Sequence, residues 1–278
     1  MVKKFEPKGL RVLILRIMRI YYKGKNKMIF HTFGNDSGKA ILLIHGMLNP
    51  WQIWKEVSDA FSNEYFVIIP ELDAHTQEEA SEFISVDDEA VKIRDYLQKN
   101  GKENLYMTCG LSMGGRIAAV LAGMPEITVE NLILDGAPLL SMPKILIGFM
   151  SKNYISIINK SKKRDPKVIE SFKKDFLPEK YLDDYLKLAG HMDEQSIRNV
   201  LKSVFSAFEF KKYDDSCKIL FMHGTKGNET VSKKAALKMK EVNPQTQIKC
   251  FDGYAHAQLL SFETKQWIKE VKDFLGYK

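Results

Sequence analysis

Cysteine is scarce: three residues in 278, with no Cys-x-x-Cys pair among them. That spacing excludes a disulfide framework and a cysteine-based zinc site. Cys109, Cys217 and Cys250 each fall within or at the end of a predicted strand, so they read as buried, reduced thiols of a cytoplasmic protein. Also missing are a His-Glu-x-x-His helix, a Gly-x-Gly-x-x-Gly turn and a Walker loop, the common signs of a metal or nucleotide. No cofactor and no metal are therefore expected. No segment repeats at a solenoid period, and none is of low complexity. The apolar stretch at residues 10–22 is interrupted by Arg16 and Arg19, which leaves neither a bilayer span nor a signal peptide.

Acidic side chains are almost absent from the first 27 residues, where Glu6 stands against nine Lys or Arg. This segment carries +8 of a formal net charge of +7, so the remainder is nearly neutral. Charge gathered in one tail, and not spread over a folded surface, argues against a nucleic-acid partner. Leu10, Leu13, Ile14, Ile17, Met18 and Tyr21 recur at helical spacing with Arg16, Arg19 and Lys23 on another face. Residues 10–22 are thus expected to form a basic amphipathic helix. Two uses are open for it: weak contact with an anionic membrane surface through residues 10–23, or packing against the domain or over its pocket.

With 45% hydrophobic and 28% charged residues, the chain can bury a large core. Apolar runs at 28–33, 40–44, 65–70, 105–111, 129–134, 218–224 and 245–251 read as strands, and helical patterns at 52–61, 85–99, 113–122, 232–241 and 262–275 separate most of them. Alternation of this kind predicts an α/β fold, a mostly parallel central sheet flanked by helices. No strand pattern appears from 138 to 215, where four helical stretches follow one another. The expected organisation is a basic segment 1–27, a core of 28–137 and 216–278, and a helical cap insertion at 138–215.

Gly110-Leu111-Ser112-Met113-Gly114 lies between a predicted strand and a predicted helix. A serine in such a turn is held exposed at the sheet edge, with the first amides of the helix aimed at it. His45, Asp135, Glu229 and His256 also follow predicted strands, whose carboxyl ends are where sites form in a parallel sheet. Serine needs a base, and the base needs an orienting acid. His256, between the last strand and the last helix, is the candidate base; His45 and His75 are the competitors.

The order Ser112, acid, His256, with His45-Gly46-Met47 upstream and a helical insertion, resembles the α/β-hydrolase superfamily, in particular its capped serine esterases and lipases. The resemblance covers residues 28–278 in element order, though its specific motifs are short. It implies oxyanion donors at the Met47 and Met113 amides, and a mostly structural role for Asp73 and His75. It also implies an acid three residues after the glycine that ends the 218–224 strand, where this chain has Gly227. Glu229, two residues on and with a longer reach, ranks first in its place; Asp135 is second and Asp252 third. Trp54 is expected to pack in the core, while Trp51 is open between walling an acyl pocket and packing.

The reading is a serine hydrolase of a carboxylic ester or thioester with no cofactor, acting on a small molecule. The apolar residues Ile145, Leu146, Ile147, Phe149 and Met150 suggest that the insertion faces an acyl or other apolar moiety. Other reactions on the same scaffold (lyase, carbon-carbon hydrolase, peptidase or perhydrolase) and a non-catalytic binding protein are the alternatives.

Overall fold

The helix expected over residues 10–22 does not form over its second half. In the computed structural model, which describes residues 16–22 and 26–277, Arg16–Tyr22 is a strand, β1, antiparallel to β2 (Asn26–Phe33), with Arg16 opposite Thr32 and Tyr22 opposite Asn26. Residues 10–15 lie outside the described part. Ile17, Ile20, Tyr21 and Tyr22 are β-branched or aromatic and favour strand over helix, while the edge of β2 offers backbone groups that pairing satisfies.

The aliphatic runs become strands: β3 (Ala40–Ile44), β4 (Phe66–Glu71), β5 (Asn104–Leu111), β6 (Thr128–Asp135), β7 (Lys218–Gly224) and β8 (Thr246–Phe251). Among the described residues the sheet has eight strands in the order β1-β2-β4-β3-β5-β6-β7-β8; β2 meets β4 antiparallel, and every pairing from β4 to β8 is parallel. All five residues of β3 are buried, as a strand covered on both faces requires. Cys109 and Cys217 are buried, but Cys250 is exposed, contrary to expectation, because it lies in the edge strand β8.

A 3-10 turn at Trp51–Trp54 leads into α1 (Lys55–Phe61), and α2 (Val86–Lys99) and α3 (Met113–Ala122) follow. Ser85 caps α2 by accepting the Asp88 amide at 3.0 Å. The alternation of β2 shows the two layers: the Phe30 ring stacks on Tyr96 of α2 at 3.7 Å between centroids, and the next residue, His31, stacks on Trp51 at 3.9 Å. After β7 come α8 (Glu229–Val242), α9 (Gln258–Phe262) and α10 (Thr264–Leu275), with α10 packed beside α1 where Trp54 meets Trp267 edge-on. Trp54 thus packs in the core as expected, and Trp51, left open, packs on His31.

From β3 the chain steps to β4 on one side, and from β5 it steps to β6 on the other. The carboxyl ends of β3 and β5 thus flank the point where the winding reverses, and loops diverging there leave a crevice.

Between β6 and β7 lie four helices, α4 (Lys144–Lys162), α5 (Pro166–Asp175), α6 (Leu182–His191) and α7 (Glu194–Val204), with a 3-10 turn at Glu179–Tyr181. Asp165 and Asp193 cap α5 and α7. The Ser196 and Ser203 hydroxyls of α7 accept the Phe83 and Val86 amides, seating the insertion on the segment that enters α2. Both of its connections to the core converge on Arg116 of α3. That buried guanidinium donates to the carbonyls of Pro138 and Val204 at 3.1 and 2.9 Å, and to those of Ser206 and Ala207 at 3.2 and 3.0 Å. Burial lowers its pKa to about 10, which leaves it charged at neutral pH. Replacing it by methionine keeps much of the volume but orphans these carbonyls. We expect Arg116→Met to lower stability by about 2–4 kcal/mol in urea unfolding; a loss within about 0.5 kcal/mol, typical of a surface change, would show that the clamp is dispensable.

Candidate active site

β5 delivers the chain to Ser112 and α3 carries it away, with no residue between. Ser112 has φ 52° and ψ −117°, a sparsely populated conformation that persists only under constraint. The constraint is proximity. A Cβ on Gly110 would stand 2.2 Å from the Gly114 carbonyl oxygen, and one on Gly114 would stand 2.2 Å from that of Ile44. Only glycine at both positions lets the strand and helix close on each other and on β3. The Ser112 amide donates to the Asp135 carbonyl at 2.7 Å, and its own carbonyl accepts from Gly115 and Arg116.

His256 Nε2 lies 2.8 Å from Ser112 Oγ, and Nδ1 lies 2.6 Å from Glu229 Oε1. Glu229 is the first residue of α8, which begins one turn earlier than expected, and is 1% exposed. Burial by itself would raise its pKa. The hydrogen bond and charge of His256, the Gly224 amide donating at 2.8 Å and the Ser232 hydroxyl outweigh that and hold the carboxyl below its usual range. An ionised Glu229 accepts only, so Nδ1 carries the proton and Nε2 is left to accept from the serine hydroxyl. Gly227, at the position where the resemblance places an acid, has φ +65° and turns the chain so that α8 can start at Glu229.

The other carboxylates are occupied elsewhere. Asp135 Oδ2 accepts the Trp267 indole N–H at 2.8 Å, and burial raises its pKa to about 6. Asp252 accepts from the Thr225 hydroxyl. His45 and His75 are away from Ser112 Oγ in hydrogen-bonding terms: His45 Nε2 accepts the Leu72 amide while Nδ1 bonds to the Gly46 carbonyl, bracing the loop after β3, and His75 Nδ1 bonds to the Asp73 carbonyl. Asp73 is paired with the buried Lys92 ammonium, which also bonds to Glu89 at 3.3 Å.

Residues 39–154 match a family model described as alpha/beta hydrolase fold. Among solved structures, an alpha/beta hydrolase family protein from Desulfitobacterium hafniense is similar with a TM-score of 0.72 at 21% identity, covering 89% of this chain and 100% of that one. This chain has the alpha/beta hydrolase fold. The esterase EaEST from Exiguobacterium antarcticum is similar with a TM-score of 0.70 at 18% identity, covering 92% of this chain and 98% of that one. For the carboxylesterase CesB from Bacillus subtilis the TM-score is 0.68 at 18% identity, with 96% and 93% covered. An AB hydrolase superfamily protein of Gibberella zeae is 28% identical over 109 residues, which span 39% of each of the two chains.

Ser112 opens into a cavity of about 100 Å³. Met47, Met113 and His256 line it from the core; Met142, Met150, Tyr154, Phe176 and residues of α7 line it from the insertion. Met113 is the first residue of α3, so its amide has no acceptor within the helix. Ile145, Leu146 and Phe149, expected to face an apolar substrate moiety, are instead exposed on the outer side of α4. Asn49 carries a signal that its type and position did not reveal: it is 3% exposed, lines the cavity, and its Nδ2 has no hydrogen-bond partner. A buried donor without a partner is costly, which marks the group as available to a ligand.

His45 and His75 also make the stability of the protein pH-dependent. Burial, with the neighbouring His75 adding to it, lowers the His45 pKa from 6.5 to about 3, and burial lowers that of His75 to about 4. Between about 6.5 and 4 the unfolded chain therefore binds more protons than the folded one, and stability falls as pH drops through that window. Urea midpoints measured at steps of pH should show this decline, and His75→Asn should flatten it by about one proton. An identical slope in the variant would remove His75 from the account.

Proposed function

We propose that the protein is a serine hydrolase of carboxylic esters or thioesters. The observation that carries the reading is the continuous relay from Ser112 Oγ through His256 to Glu229, with the serine on a strained turn at the start of a helix.

Ser112 Oγ attacks the substrate carbonyl while His256 Nε2 takes its proton, and the ionised Glu229 stabilises the imidazolium and fixes its tautomer. The amides of Met113 and Met47 hold the oxygen on which negative charge develops; fixed donors of this kind are each worth about 10² to 10³ in rate. The imidazolium then protonates the departing alcohol or thiol, leaving an acyl-serine. Water attacks that ester with His256 as base, and the carboxylic acid leaves as Ser112 regains its proton. This sequence uses no cofactor. The methionine-, valine- and phenylalanine-lined cavity favours an apolar acyl or alcohol group, and its volume favours a short one. Asn49 offers a side-chain donor to the polar end of the substrate.

With short and long p-nitrophenyl esters, Ser112→Ala is expected to abolish turnover and labelling by a fluorophosphonate. Glu229→Gln should lose on the order of 10³ to 10⁴ in kcat, whereas Asp135→Asn, which still accepts from Trp267, should stay within a few-fold. The reverse ranking of these two would move the acid to Asp135. Equal labelling of Ser112→Ala and wild type would end the serine reading.

Asn49→Leu should lower kcat/KM by about 10- to 100-fold, the loss of one hydrogen bond to a polar substrate group. Unchanged kinetics would mean that its carboxamide only packs.

A further inference from the structure

Six large hydrophobic side chains are exposed among the described residues, and three of them fall within five positions of α4: Ile145 at 87%, Leu146 at 52% and Phe149 at 74%. Ile84, Leu237 and Phe262 are scattered singly, as is normal for a soluble surface. The α4 group differs because helical spacing gathers it. Ile145, Phe149, Lys152, Ser156 and Lys160 follow one another in steps of four, three, four and four, so they share one stripe, and all five are exposed. The opposite side of the helix is used: Ser151, Ile155 and Ile158 are buried, and Met150 and Tyr154 line the cavity over Ser112.

The stripe is apolar at the start of the helix and basic beyond it. α4 contains four lysines, Lys144, Lys152, Lys160 and Lys162, and no Asp or Glu. Isoleucine and phenylalanine rings and chains at one end, followed by lysines whose ammonium groups can stay at headgroup level, match the depth profile of a membrane interface. A bilayer bearing anionic lipid supplies both complements, acyl chains for the tip and negative charge for the stem, at about 1 kcal/mol per surface-bound lysine (roughly fivefold in partitioning).

We propose that the outer stripe of α4 docks this protein on an anionic lipid surface, with Ile145 and Phe149 inserted and Lys152 and Lys160 at the headgroups. Docking in this way sets the insertion that covers the Ser112 cavity against the lipid. The inference is independent of the chemistry assigned to Ser112.

Flotation of the full chain with phosphatidylcholine vesicles, with and without phosphatidylserine, tests it. Wild type is expected to float with the phosphatidylserine vesicles, and Ile145→Asp/Phe149→Asp to partition at least about tenfold less. Lys152→Glu/Lys160→Glu should lose the dependence on phosphatidylserine. All four side chains are exposed, so thermal unfolding of the variants should match wild type, and the basic residues 1–27 are present in every protein compared. If Ile145→Asp/Phe149→Asp floats as wild type does, binding lies elsewhere and the proposal fails. It fails equally if wild type floats with neither vesicle, or if wild type is a dimer that the aspartate variant converts to a monomer, since a second copy would then cover the patch.

Discussion

Everything at the carboxyl end of the sheet depends on how closely β5, α3 and β3 approach one another. Gly110 and Gly114 leave no space for a β-carbon at the crossing, and that contact, more than any side-chain bond, holds Ser112 at a positive φ with its hydroxyl outward. The Ser112 amide, donating to the Asp135 carbonyl, fixes the turn against β6 as well, and its carbonyl, accepting from Gly115, ties it into α3. Strain held by the backbone does not relax when one side chain moves. The hydroxyl is therefore placed before a substrate arrives, as preorganised chemistry requires.

Around that turn the buried polar groups divide into those that hold structure and those that face the cavity. His45, His75, Asp73 and Asp135 are each bonded to a backbone group, an indole or an ammonium. Glu229 is bonded too, but one of its partners is an imidazole whose other nitrogen is free to address the serine. The distinction lies in partners and not in residue type, since Asp135 at the end of β6 and Glu229 at the start of α8 are both buried carboxylates, with pKa values moved in opposite directions.

Much of this was legible in the residues. Continuous aliphatic runs are strong signals for central strands, and the elbow motif between a strand and a helix located Ser112. Residues 16–22 were not legible, because Ile17 and Tyr21 fit a helical period while Ile17, Ile20, Tyr21 and Tyr22 prefer a strand, and the free edge of β2 decides between them. Helical periodicity also could not say which face of α4 turns inward: Ile145 and Phe149 are as apolar as Met150, and only the packing of the insertion separates them. Arg116 and Asn49 were invisible for a related reason. A lone polar residue within an apolar segment announces a partner, but the partners, Val204 to Ala207 and the cavity, are distant in sequence or absent from it.

The turn at Gly227 ties the start of α8 to the reach that the side chain at 229 needs. With Glu229 opening α8, its carboxylate stands 2.6 Å from His256 Nδ1. An aspartate at 229, one methylene shorter, would draw the carboxylate back from the imidazole.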